Sequence, residues 1–91
     1  MLIDFKSAQI KKFLDLAERI QALPEAYIDF EHVSDFYKVN WLKDFPSGTQ
    51  WYVSGLDDGA DEFYISIVYA EYRLNIQCTD HIQVELIHPV G

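Results

Sequence analysis

The chain has 91 residues, 49% of them hydrophobic and 15% aromatic, and a formal net charge of −8. That is enough apolar material for one small core, which excludes a disordered chain, and no stretch reaches the roughly 18 uninterrupted apolar residues of a membrane-spanning helix. A single cysteine, Cys78, excludes an internal disulfide framework and favours a reducing compartment.

The amino-terminal MLIDFKSAQI carries Asp4 and no long apolar run, so it does not read as a secretory signal and the expected setting is cytoplasmic. Ile10, Phe13, Leu14, Ala17 and Ile20 then fall at the spacing of one helical face. Ser7 or Asp4 is placed to cap that helix and Pro24 to end it, which predicts a helix over residues 6–23. Residues 27–33, YIDFEHV, alternate apolar and acidic positions as a half-buried strand does. Residues 36–45, FYKVNWLKDF, fit helix and strand alike. The reverse turn predicted at Pro46-Ser47-Gly48, leading into TQWYVSG, favours a hairpin for them.

Across the next loop, Leu56 opposite Glu62 sets Val53 against Ile65 and Trp51 against Ile67, apolar on apolar. A three-residue turn at Thr79-Asp80-His81 likewise sets Cys78 against Ile82, Ile76 against Val84 and Leu74 against Leu86. Between these two pairings the apolar phase slips. It is odd at Phe63, Ile65, Ile67 and Tyr69 and even at Tyr72, Leu74, Ile76 and Cys78. One straight strand through both sets would be roughly 60 Å long, far beyond a domain of this size. Tyr-Ala-Glu-Tyr lacks the Gly, Asn or Asp of a tight hairpin, so the expectation is a strand bent or bulged near Ala70-Glu71. The expected fold is α+β, a single domain over residues 1–91. One amino-terminal helix packs on a mostly antiparallel β-meander of five to six strands.

The chemistry-bearing motifs are few. Asp57, Asp58, Asp61 and Glu62 lack the alternate acids, the sixth-position glycine and the twelfth-position glutamate of a calcium loop. His32, His81 and His88 have no metal-ligand spacing, and the four glycines form no phosphate loop. Cys78 is in phase with the buried set, as an inert core thiol is. Neither a catalytic residue, a metal site nor a cofactor is expected.

The surface says more. Residues 1–23 hold four bases and three acids, a net +1, whereas residues 24–91 hold three bases and twelve acids, a net −9. An acidic body repels phosphate backbones and anionic membranes and attracts basic proteins. Alternation sends Tyr52, Tyr64, Ser54, Ser66 and Val68 to the face opposite the core. Beyond the bend Glu71, Arg73, Asn75 and Gln77 join them, with Gln83 and Glu85. Tyrosines in a polar surround are common in interfaces. In the competing arrangement, residues 34–46 fold over those tyrosines as a second small core.

The expected partner-binding residues are Asp57, Asp58, Asp61, Tyr52, Tyr64, Glu71 and Glu85. The expected function is an inhibitor of a basic protein, most of all an immunity protein neutralising a nuclease-type toxin. The alternatives are a nucleic-acid mimic acting against restriction or CRISPR machinery, and a structural subunit pairing through a sheet edge. The expected partners are a toxin or nucleic-acid-binding protein, with no direct nucleic-acid or membrane contact, and a homodimer is compatible with this surface.

Overall fold

The structure is a computed structural model, described here for residues 5–30, 33–55 and 62–88. It is an α+β fold with one long helix, α1 (Phe5–Ala22), and an antiparallel four-stranded sheet. The strands are β1 (Gln50–Ser54), β2 (Phe63–Tyr69), β3 (Tyr72–Cys78) and β4 (Ile82–Ile87), adjacent in chain order. Phe13, Leu16, Ala17 and Ile20 form the buried stripe of α1. They close over the inner sheet residues Phe63, Ile65, Ile67, Leu74, Ile76 and Cys78 in one core.

Two expected strands are absent, which is why the sheet has four members rather than five or six. Pro24 starts a single helical turn, α2 (Pro24–Tyr27), because its fixed φ suits the first helical position. The Ile28 amide closes that turn by donating to the Pro24 carbonyl at 2.8 Å. Buried Ile28 and half-buried Phe30 then reach the core from irregular chain rather than from a strand. Residues 33–45 form a second short helix, α3 (Val33–Phe36), and a 3-10 helix (Asn40–Asp44) in place of the hairpin strand.

Aromatic packing decides that outcome. Phe36 meets Phe30, Tyr37 and Trp41, Trp41 meets Phe45, and Phe45 meets Phe13 at 5.5 Å. The Trp41 indole donates to the Tyr27 carbonyl at 2.8 Å, tying the 3-10 helix to α2. Trp41 and buried Phe36 and Phe45 therefore belong to the same core as α1, not to a second core over the tyrosines.

The bulged strand expected near Ala70-Glu71 is a tight hairpin. Tyr69 pairs with Tyr72 across a two-residue turn, so Ile67 meets Leu74, Ile65 meets Ile76 and Phe63 meets Cys78. The slip in apolar phase is what such a turn produces: odd positions of one strand face even positions of the next. Ala70 occupies the left-handed region at φ +53, the sole non-glycine with positive φ among the described residues. An alanine there costs about 1–2 kcal/mol. Tertiary contact offsets this cost, because Phe13 packs on both residues that flank the turn, at 5.9 Å from Tyr69 and 6.5 Å from Tyr72. Ala70→Gly is therefore expected to raise stability by about 0.5–1 kcal/mol in a urea melt.

The other turns follow the sequence. Gly48, at φ +92, takes the third position of the Pro46–Thr49 turn, where a type II turn requires positive φ. Both flanking registers are those the apolar pattern selects, Val53 on Ile65 and Trp51 on Ile67, then Cys78 on Ile82 and Leu74 on Leu86.

Cys78 is 4% exposed, and burial pushes its thiol from the ordinary 9.0 up to about 11. Native Cys78 is expected to react with a thiol reagent at least tenfold more slowly than the denatured chain. Between pH 9 and 11 the unfolded thiol ionises while the folded one holds its proton. Stability therefore falls over that window, and full separation corresponds to about 2–3 kcal/mol. Cys78→Ala should lose this component of the pH slope, read as the difference between the two proteins' urea midpoints.

Candidate protein-binding face

The pleat gives the sheet an outer face with three rows of four residues, set by the strand registers. Gln50, Val68, Arg73 and Ile87 form the first row. Tyr52, Ser66, Asn75 and Glu85 form the second, and Ser54, Tyr64, Gln77 and Gln83 the third. Tyr52 is 56% exposed and Tyr64 40%. Hydroxyls and amides occupy most of the remaining positions.

Local chemistry holds both tyrosines. The Tyr52 hydroxyl donates to Gln50 Oε1 at 2.7 Å on the same strand. Tyr64 lies against Gly55, where an added Cβ would stand 2.8 Å from Tyr64 Cδ2, and Gly55 itself has φ +93. Gly55 is thus fixed both by its backbone angle and by the ring beside it. Gly55→Ala is expected to cost about 1–3 kcal/mol in thermal unfolding and to shift the Tyr64 ring resonances. In the middle row, the Ser66 hydroxyl donates to Asn75 Oδ1 at 2.8 Å, linking β2 to β3.

The charge of this face differs from the expected mixture of tyrosines and acids. Its charged residues are Arg73 and Glu85, one of each sign. Glu71 is exposed but sits in the β2–β3 turn, at the end of the sheet. Exposed Glu62, just before β2, and Asp80, in the β3–β4 turn, mark the opposite end. Tyr52, Tyr64 and Glu85 therefore share one surface, with Glu71 at its border. Asp57, Asp58 and Asp61 lie outside the described residues, as does His32.

Elsewhere, an open groove of about 750 Å³ runs between α2, α3 and the 3-10 helix. Asp29, Asp35 and Asp44 alternate there with Lys38 and Lys43 around Trp41, so the charges nearly cancel. His81 is exposed in the β3–β4 turn, and His88 packs edge-on against Tyr72 at 5.8 Å. Among the described residues no three His, Cys, Asp or Glu side chains converge as a metal site, and no helix is long and apolar enough to cross a membrane. Comparison with known proteins finds no matching family model, no matching curated protein and no matching solved structure.

Proposed function

We propose that the outer sheet face docks a basic protein and that the chain inhibits it by occupancy, as an immunity protein blocks a nuclease-type toxin. The observation that carries this reading is the pair of exposed tyrosines, Tyr52 and Tyr64, on a sheet face with one charge of each sign. Interfaces concentrate binding energy in aromatic anchors at a weakly charged centre and leave charge to the rim. Here the rim acids are Glu62, Glu71 and Asp80 in the described residues, and the body carries the remaining excess. That arrangement suits a positively charged partner, whose approach a net charge of −8 accelerates.

The single carboxylate on the face, Glu85, favours this reading over a nucleic-acid mimic, which needs a ridge of carboxylates at the phosphate repeat. The test is an affinity capture from the source organism with wild-type bait and with a folded Tyr52→Ala/Tyr64→Ala bait. A basic protein retained by the first and lost by the second supports the proposal. Equal retention by both, or capture of acidic proteins alone, contradicts it.

A further inference from the structure

We propose that the outer edge of β1 pairs antiparallel with β1 of a second copy of this chain, joining two four-stranded sheets into one of eight. The edge strand is QWYVS, five residues with no charge and no proline, and four of the five side chains are exposed. α1 and α2 pack against β4 at the other end of the sheet. Among the described residues no strand pairs with the free side of β1. Such an edge is a template for another strand, and lysine, proline or a bulge, the usual means of blunting it, are missing here.

The backbone directions follow from the registers. The two-residue turn makes Tyr69 and Tyr72 a hydrogen-bonded pair, and antiparallel bonding alternates from there. β2 therefore bonds to β3 through its odd residues and to β1 through Tyr64, Ser66 and Val68. On β1 this turns Gln50, Tyr52 and Ser54 inward and leaves the N–H and C=O groups of Trp51 and Val53 pointing out of the sheet.

A two-fold axis beside Tyr52 satisfies those groups with an identical strand. Trp51 then pairs with Val53 of the second copy and Val53 with its Trp51, which makes about four backbone hydrogen bonds. Side chains match as well. Trp51, 39% exposed on the inner face, meets a half-buried valine on the same face. Tyr52 meets Tyr52, and Gln50 meets Ser54. This self-complementarity argues for a second copy as the occupant, because an uncharged strand gives a basic one no electrostatic advantage.

A five-residue strand pair lies at the small end of interface sizes, so the dimer is weak. Its salt dependence also has a definite sign. Two bodies of −8 repel, and salt screens that repulsion, so self-association strengthens with ionic strength. Docking of a basic partner weakens under the same change, and this assay uses the chain alone, so either proposal can fail without the other.

Sedimentation equilibrium from about 10 µM to 1 mM, at 0.05 and 1 M NaCl, tests it. The average mass should rise toward twice 10.6 kDa, and the dissociation constant should fall severalfold in high salt. Val53→Pro removes an outward N–H without breaking the β1–β2 ladder. Trp51→Lys blunts the edge by charge should the proline variant fail to fold. Either variant, if folded by circular dichroism, should weaken self-association at least tenfold. A wild-type chain monomeric at 1 mM in 1 M NaCl overturns the proposal and leaves the edge to a strand of a different protein. A dimer unaffected by a folded variant also overturns it.

Discussion

Phe13→Ala is expected to lower the midpoint of thermal unfolding by about 15–30 °C. Phe13 is fully buried and touches three aromatic rings that belong to distant parts of the chain. Phe45 ends the irregular segment, while Tyr69 and Tyr72 flank the hairpin turn. Truncating a buried phenylalanine costs about 3–5 kcal/mol through lost transfer energy and the cavity left behind. A domain of this size has about 5–10 kcal/mol in total, and each kcal/mol moves the midpoint by about 4–8 °C. Phe13→Leu keeps most of the volume and should cost less than half as much. Because the ring also braces the strained Ala70 turn, Ala70→Gly should lose part of its benefit if Phe13→Ala is introduced first, a coupling measurable in a double-mutant cycle.

Tyr64→Ala is expected to weaken binding of the docking partner by about 30-fold or more, the loss typical of a central aromatic anchor. Glu85→Gln, on the same face, should cost several kcal/mol if its carboxylate meets a desolvated arginine and under about 1 kcal/mol if it stays wet. Exchanging Asp57, Asp58 and Asp61 for asparagine removes three charges while keeping residues that tolerate turn geometry. That change should reduce affinity only severalfold, chiefly through slower association, and flatten the salt dependence. A larger loss from the aspartates than from Tyr64 would move the contact centre off the sheet.

Much of the sheet is legible in the sequence because its inner residues are apolar at strict period two. Register followed from demanding apolar opposite apolar, and Val53–Ile65 and Cys78–Ile82 pair accordingly. The outer face followed from the same alternation, since Tyr52, Tyr64 and Glu85 must point away from Ile65 and Ile76. The hairpin at Ala70-Glu71 was hidden because its turn lacks turn-forming residues. Its stability lies in Phe13, some 57 positions away in the chain, and no local signal reports that contact.

The strands expected over residues 27–33 and 36–45 fail for a related reason. Ile28 and Phe30 alternate with Asp29 as a strand would, yet among the described residues no strand pairs with them to receive their backbone groups. Aromatic contacts among Phe30, Phe36, Trp41 and Phe45 make irregular chain the better way to bury those rings. Of the two acids expected on the outer face, parity puts Glu85 where the register has it, whereas Glu71 falls in the turn between Tyr69 and Tyr72 and belongs to neither strand.

The most direct test of the docking account is a heteronuclear NMR titration of the labelled chain with the basic protein it captures. Amide and side-chain shifts should concentrate at Tyr52, Tyr64, Ser66, Asn75, Gln77 and Glu85, with the inner core and the exposed side of α1 unmoved. Shifts that cluster instead on α1 or in the groove around Trp41, leaving Tyr52 and Tyr64 unchanged at saturation, would contradict the assignment of the outer face.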